Sequence, residues 1–195
     1  MLEAFNEEMK KFLDKQTFVQ LSDDELKNYD GPINYITTTI SLKDSATTPL
    51  RICTNSSFKN GKYSLNDLIP KGPNSLNDML AVTIRFRSYP HAVAFDLSKA
   101  YNTMCTTSKE KHLRRFVWRW SENGPWLDFG IDKVHFGDRG AACQLEIGKN
   151  KTAKLGKDID NKASEKLIQD TYVDDGATGG SEEEVQRMVD KMDEN

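Results

Sequence analysis

Two short stretches decide the fold: AVAFD at residues 92–96 and YVDD at residues 172–175. The first is an apolar run that ends in an acid, and it predicts a buried central strand that delivers Asp96 at its end. The second places two adjacent acids at a tight turn. Carboxylates against apolar neighbours cost free energy unless a cation or hydrogen bonds compensate them. The two stretches therefore predict one site that receives acids from distant parts of the chain.

Around these stretches, helical and strand patterns are intermixed. Apolar spacing and capping residues predict helices at 2–15, after Ser22, over a mostly buried 75–87 capped by Ser75, after Gly140, over 163–169 and after Ser181 with Glu184. Rich β-branched or alternating patterns predict strands at 34–40, 50–54, 115–120 and 126–134, with a turn at Asn60-Gly61. Residues 150–157, rich in lysine, are expected to be irregular. Hairpins without regular βαβ repeats predict an α+β fold.

The composition is that of a globular protein. The chain has 195 residues, of which 37% are apolar and 29% are charged, enough for a sizeable core. No apolar run approaches the roughly 18 residues that span a bilayer, and the acidic amphipathic start is unlike a secretory signal. We therefore expect an intracellular protein, cytoplasmic or nuclear, without a membrane partner.

Cysteine and histidine do not form a metal-ligand pattern. Cys53, Cys105 and Cys143 include no CxxC pair, and we expect reduced, buried thiols. The three histidines share no ligand spacing with one another or with the cysteines, so zinc is not expected.

Charge is unevenly distributed along the chain. The formal net charge of −3 counts against a dedicated nucleic-acid binder, which is usually basic. Residues 85–87, 109–119 and 149–157 are nevertheless basic, while 181–195 are strongly acidic. These basic stretches are as consistent with solvated faces as with contacts to phosphates.

The acids of the two stretches are suited to one specific kind of chemistry. Magnesium prefers oxygen ligands and is held by few carboxylates together with water and substrate phosphates. Two such ions about 4 Å apart can hold the attacking hydroxyl and the leaving pyrophosphate of an in-line displacement. Asp96, Asp174 and Asp175 therefore indicate a phosphoryl-transfer site, although a lone Asp-Asp pair is more often a turn or a helix cap.

The residues around the acids resemble those of reverse transcriptases. YVDD resembles the signature hairpin of that family, and Asp96 with Tyr101 five positions later resembles its first catalytic motif. Further stretches resemble, in the same order, the polymerases of BEL/Pao-type LTR retrotransposons: residues 64–67, 71–76, 85–87, 116–119, 136–138 and 170–175. The resemblance covers most of residues 50–184. Asp138 follows Gly137 where many reverse transcriptases have Ser-Pro, but an Asp there is familiar in Pao-type elements.

The resemblance implies the fingers and palm of a right-hand polymerase. Residues 1–90 would form N-terminal helices and fingers, and residues 91–195 would form the palm. The palm would be a ferredoxin-like antiparallel sheet packed on helices. Because the chain ends about 20 residues after the acid pair, we expect the thumb to be absent.

The resemblance also implies roles for individual residues. Asp96, Asp174 and Asp175 would be catalytic and, with the backbone carbonyl of Leu97, would bind two magnesium ions, for which manganese could substitute. A second set would bind the nucleotide: Arg51 its triphosphate, Tyr101 its sugar, and Phe136 with Gly137 the pocket wall. The partners would be deoxynucleoside triphosphates and a primer on an RNA or DNA template; the oligomeric state is left open.

Three functions are therefore open at this point. The first is an RNA-directed DNA polymerase fragment that transfers deoxynucleotides by a two-metal mechanism. The second is a truncated or domesticated relic of such an enzyme that binds nucleic acid or protein without polymerising. The third, an unrelated metal-dependent nuclease or phosphatase, leaves residues 64–76 and Tyr101 unexplained.

Overall fold

A computed structural model of the chain describes residues 2–42, 44 and 50–193. Its helices are α1 Leu2–Asp14, α2 Asp23–Asn28, α3 Leu65–Leu68, α4 Met79–Ser88, α5 Ala100–Thr103, α6 Ala141–Leu155, α7 Asn161–Gln169 and α8 Glu182–Asp193, with a 3-10 helix at Glu110–Arg114. Its strands are β1 Phe18–Gln20, β2 Thr37–Leu42, β3 Leu50–Asn55, β4 Lys59–Asn60, β5 Tyr63–Ser64, β6 His91–Asp96, β7 Arg115–Trp118, β8 Leu127–Ile131, β9 Thr171–Tyr172 and β10 Asp175–Gly180.

The chain divides into two compact units, each described by itself. Unit 1 comprises Met1–Lys71 with Tyr101–Ala141, and unit 2 comprises Gly72–Ala100 with Ala142–Asn195. Both combine helices with small antiparallel sheets, which confirms the predicted α+β class. The finer polymerase architecture, with fingers over residues 1–90 and a palm over 91–195, stays a prediction.

Unit 1 is built on an aromatic core. Its three-stranded antiparallel sheet has the order β1-β8-β7, and α1 contributes the fully buried Met9. The ring centroids of Phe18 and Phe116 lie 4.9 Å apart, and those of Phe116 and Phe129 lie 5.6 Å apart. The helix predicted at 2–15 and the strands predicted at 115–120 and 126–134 are confirmed, and the two strands pair with each other.

Two hairpins complete the sheet structure of unit 1. Strand β2 pairs with β3, and β4 pairs with β5 through the predicted turn, where Gly61 has a φ of +78°. Along β3 the side chains alternate, so that Ile52 and Thr54 are buried while Arg51 and Cys53 are exposed. This alternation fixes the face on which Arg51 lies.

Unit 2 contains a sheet of the order β6-β10-β9. The central strand is β10, and within the described residues β6 pairs with β10 alone, so the prediction of a buried central strand at 92–95 is wrong. Ala92 and Ala94 are exposed, and Phe95 is half-buried. An apolar run alone cannot distinguish a central strand from an edge strand, which is the reason for the error.

The interior of unit 2 is unusually polar. Beside the buried apolar residues Val82, Leu145 and Ala153, it buries charged and hydroxyl side chains: Glu146, Lys149, Lys166, Asp170, Thr171 and Thr178. Buried charges are costly unless they are paired and hydrogen-bonded. The packing of unit 2 therefore depends on specific partners as much as on apolar contact.

Three helix predictions differ in outcome. Helix α4 begins later than predicted because the Asp78 side chain, not Ser75, caps it by accepting from the Leu80 amide at 2.8 Å; only Val82 is fully buried. Helix α6 runs to Leu155, so the predicted irregularity of 150–157 is wrong for residues 150–155, while residues 156–157 form a turn. The predicted capping box of α8 is confirmed, since Ser181 and Glu184 each bond the other's amide.

The cysteines are free thiols, but Cys53 and Cys105 are exposed and Cys143 is half-buried, so the prediction of burial is wrong. Cys53 lies on the exposed face of β3, and Cys105 forms an isolated bridge with Lys133. The residue type alone does not reveal such exposed positions.

Across residues 2–42, 44 and 50–193, no helix has the length and apolarity needed to cross a membrane.

Gly179 is required where β10 passes β6. A methyl group added there would lie 2.2 Å from the carbonyl oxygen of His91, a backbone atom that cannot move without breaking the strand pairing. We expect Gly179→Ala to lower the free energy of unfolding by about 1–3 kcal/mol, measured by urea denaturation.

Gly156 provides the matched control, because an added methyl group would find its nearest neighbours at an ordinary 3.6 Å. We expect Gly156→Ala to change the same free energy by less than about 0.5 kcal/mol. Equal losses in the two variants would contradict the close approach of β10 to β6.

Candidate catalytic hairpin

The YVDD stretch forms a hairpin with a two-residue loop. Tyr172 pairs with Asp175 at the ends of β9 and β10, leaving Val173 and Asp174 as the loop. Two-residue hairpin loops require a positive φ at their first position, and Val173 has a φ of +60°. A β-branched residue rarely adopts that conformation, and the strain is on the order of 1–3 kcal/mol. The loop is therefore held in place by its surroundings.

The pairing of β6 with β10 brings the acids from the two stretches together. Asp96 lies directly opposite Asp175, and such partners place their side chains on the same face with Cβ atoms about 5 Å apart. Beside this pair, the Leu97 amide donates a hydrogen bond to the Asp174 carbonyl oxygen at 2.9 Å. All four residues that the sequence predicts for the metal site thus lie at one end of this sheet.

The acids are more accessible than the sequence suggests. Asp96 and Asp175 are exposed, and Asp174 is half-buried, so the cost expected from burial does not apply. Like charges directly across a strand pair are instead destabilising by mutual repulsion. A bound cation would relieve that repulsion.

The donor types fit a hard divalent cation. The site offers carboxylate oxygens and the Leu97 carbonyl, which accepts from the Ala100 amide at 3.1 Å and keeps a second lone pair. In the described part of the chain, no three or more His, Cys, Asp or Glu side chains converge as a ligand group. Magnesium is usually bound by one or two carboxylates plus substrate phosphates, so two opposed aspartates meet its minimum requirement.

Buried polar contacts anchor the base of the hairpin. The Glu146 carboxylate pairs with the Lys149 ammonium at 2.8 Å, and Lys149 also donates to the Thr171 hydroxyl on β9. The side-chain amide of Asn77 donates to the carbonyl oxygens of Ile168 and Thr171 at 2.7 and 2.8 Å. Helix α6 and the segment before α4 therefore both fix the start of β9.

Asp170, immediately before β9, is a buried acid whose role the sequence did not reveal. Its carboxylate accepts from Arg85, Tyr89 and Thr178. Burial, and then the hydrogen bond to Asp170, raises the pKa of the Tyr89 phenol, which therefore stays protonated and donates. An acid before a strand is the only signal in the sequence, because Arg85 and Tyr89 are more than 80 positions away and the eight-residue separation from Thr178 matches no local pattern.

The residues predicted to bind the nucleotide all lie in unit 1. Tyr101 is buried, and its ring centroid lies 4.8 Å from that of Phe136, whose side chain is 68% exposed. An exposed aromatic ring over a buried one presents a flat apolar surface to solvent. The structure thus brings Tyr101 and Phe136 together.

Gly137 lies in a loop with little freedom. A methyl group added there would lie 3.2 Å from the Thr54 carbonyl oxygen on β3. The Asn66 side chain donates to the Gly137 carbonyl oxygen at 2.7 Å and accepts from the Arg139 amide at 2.8 Å. The loop that carries Phe136 is therefore pinned from both sides. Arg51 lies on the exposed face of β3, opposite Ser41 of β2, and its predicted role stays a prediction.

Asp138 explains why the loop is held rigidly, a role that the sequence analysis did not predict for it. Its buried carboxylate accepts from the Arg114 guanidinium at 2.5 Å and from the Ser56 hydroxyl at 2.6 Å. Nearby, burial lowers the pKa of His135, so that its imidazole is neutral at neutral pH and hydrogen-bonds Thr54. A buried ion pair thus holds the residue that directly follows Gly137.

Compared with models of protein families and with curated proteins, the chain finds no match. Family membership therefore stays a prediction from the motifs. The geometry described above supports a function only through the chemistry of its residues.

Proposed function

We propose that the chain carries the catalytic fingers and palm of an RNA-directed DNA polymerase. It would add deoxynucleotides to a primer on an RNA or DNA template by a two-metal mechanism. The observation that supports this most is the pairing of Asp96 with Asp175, beside the hydrogen bond from Leu97 to Asp174. Two motifs that resemble reverse transcriptase motifs in sequence are neighbours in space, as their proposed shared chemistry requires.

The proposed chemistry assigns each residue a limited task. Bound magnesium ions would supply the charge that activates the primer 3′-hydroxyl and neutralises the leaving pyrophosphate. Asp96 and Asp174 would be the main ligands of the cations through their carboxylates, and Asp175, which lies opposite Asp96, would be a neighbouring secondary acid. The buried contacts at the base of the hairpin would keep its loop in one conformation, so that little reorganisation accompanies the reaction.

The proposed selection of substrate uses residues of unit 1. Arg51 would bind the triphosphate, since a guanidinium matches phosphate oxygens in geometry and charge. Tyr101 would pack under the sugar and exclude a 2′-hydroxyl group. The pinned loop with Phe136 and Gly137 would form the wall next to the base.

A second candidate is a nucleic-acid-binding module without polymerase activity. The Arg119 guanidinium lies 4.8 Å from the centroid of the Trp126 ring, whose side chain is 59% exposed. Exposed aromatic rings next to arginine stack well on unpaired bases, and this needs no catalysis. The net charge of −3 makes such binding weaker than in a basic protein.

Primer extension tests the proposal. We expect the wild-type chain to extend an annealed primer with magnesium or manganese and all four deoxynucleotides. Asp174→Asn should reduce the rate on the order of 100-fold or more, because it removes charge that stabilises the transition state. Asp158→Asn, at an exposed acid between α6 and α7, removes the same charge and should leave the rate unchanged.

The results separate the two candidates. Extension that survives Asp174→Asn would contradict the catalytic role of the hairpin. A wild type that binds an RNA–DNA hybrid but extends nothing would favour the binding module. A wild type that binds no nucleic acid at low salt would exclude both.

The proposed role of Tyr101 predicts a change in sugar selection. A smaller side chain would leave room for a 2′-hydroxyl group, so Tyr101→Val should raise the efficiency of ribonucleotides relative to deoxynucleotides. Single-nucleotide incorporation at matched protein stability measures this ratio. An unchanged ratio would remove Tyr101 from the nucleotide site and leave it as a core residue that packs on Phe136.

A further inference from the structure

Asp170 is the most highly connected buried acid next to the hairpin. Its side chain is 2% exposed, and its two oxygens accept from three donors on different parts of unit 2. The Arg85 Nε donates from α4 at 3.0 Å, the Tyr89 hydroxyl at 3.0 Å, and the Thr178 hydroxyl from β10 at 2.6 Å. One carboxylate thus joins α4 to the strand that carries Asp175.

The backbone of Asp170 adds a further connection. Its carbonyl oxygen accepts from the Ala177 amide at 2.8 Å, one step beyond the last ladder pair between β9 and β10. Strand β10 is held by six pairs with β6, whereas β9 is joined to the sheet by only its two pairs with β10. The positive φ of Val173 adds backbone strain, which further destabilises the loop. Contacts outside the β9–β10 ladder must therefore hold the hairpin. Asp170 provides such contacts immediately before β9, through its hydrogen bonds with Thr178 and Ala177.

We propose that Asp170 is a positioning residue that sets where the hairpin acids lie relative to Asp96. This inference rests on the proposed function, because it assumes that the acids bind a divalent cation. Asp170 does not touch the cation itself; it acts through β10 and the loop. Groups that orient metal-binding side chains from behind commonly change metal affinity by about 10-fold to 100-fold when they are replaced.

The test measures manganese binding to the full chain. Binding is monitored by the decrease of the electron paramagnetic resonance signal of the free ion. Asp170→Asn keeps the shape of the side chain but turns one acceptor oxygen into a donor that faces Tyr89 and Thr178. We expect it to weaken manganese binding about 10-fold. Thr178→Val removes a single donor with little change in volume, and it should weaken binding less, in the same direction.

A matched control separates positioning from general loss of stability. Ser181→Ala removes the cap of α8 at the far end of β10 and destabilises the same unit without contacting Asp170. We expect it to lower the melting temperature while manganese affinity stays within about twofold of the wild type, since it leaves the oriented ligands untouched. If Asp170→Asn does not fold, the manganese affinities of Thr178→Val and Ser181→Ala are compared instead.

The outcomes distinguish this inference from the proposed function. Unchanged manganese affinity in folded Asp170→Asn, or an equal loss in Ser181→Ala, overturns the positioning role while leaving primer extension by the wild type as it is. Weakened binding in Asp170→Asn with a wild type that extends no primer supports the positioning role and rejects the polymerase. A wild type that binds no manganese overturns the inference itself.

Discussion

The antiparallel pairing of β6 with β10 is the constraint on which the candidate site depends. In a strand pair, directly opposite residues point their side chains to the same face of the sheet. A shift of the register by one residue would place the side chains of Asp96 and Asp175 on opposite faces. The close approach at Gly179 and the hydrogen bond from Leu97 to Asp174 both fit the observed register alone. The chemistry proposed for the acids is therefore a consequence of backbone geometry.

Unit 2 maintains this geometry with buried polar contacts. Unit 1 has an aromatic core beside its buried Arg114–Asp138 ion pair, whereas the described residues of unit 2 bury few apolar side chains and pair Glu146 with Lys149 and Asp170 with Arg85. Breaking one partner of a buried pair is costly because it leaves a charge uncompensated. Hydrogen bonds and ion pairs also depend strictly on direction, so they can hold the strained loop and its acids in one orientation.

The sequence predicted the parts of this arrangement that local patterns encode. Helix α1 follows from apolar spacing, and the start of α8 follows from the capping pair Ser181 and Glu184. The start of α4 was missed because Ser75 and Asp78 are both good caps, and only the fold selects between them. The partners of Asp170 could not be predicted, because two of them, Arg85 and Tyr89, are distant in sequence and the third, Thr178, approaches only through the pairing of β9 with β10. The two acidic stretches lie side by side as the sequence predicted, but the burial of the acids, which was the reason given for a bound cation, is wrong.

The most direct test of the central claim is to locate a bound paramagnetic ion in the chain by nuclear magnetic resonance. On titration with manganese, the amide signals of residues 96–97 and 174–176 should broaden together and before those of β7 and β8. The same titration of Asp174→Asn should lose this selective broadening. Broadening of only one of the two stretches, or first at Glu182–Glu184 of the acidic helix α8, would contradict a shared cation site at the end of the β6–β10 pair.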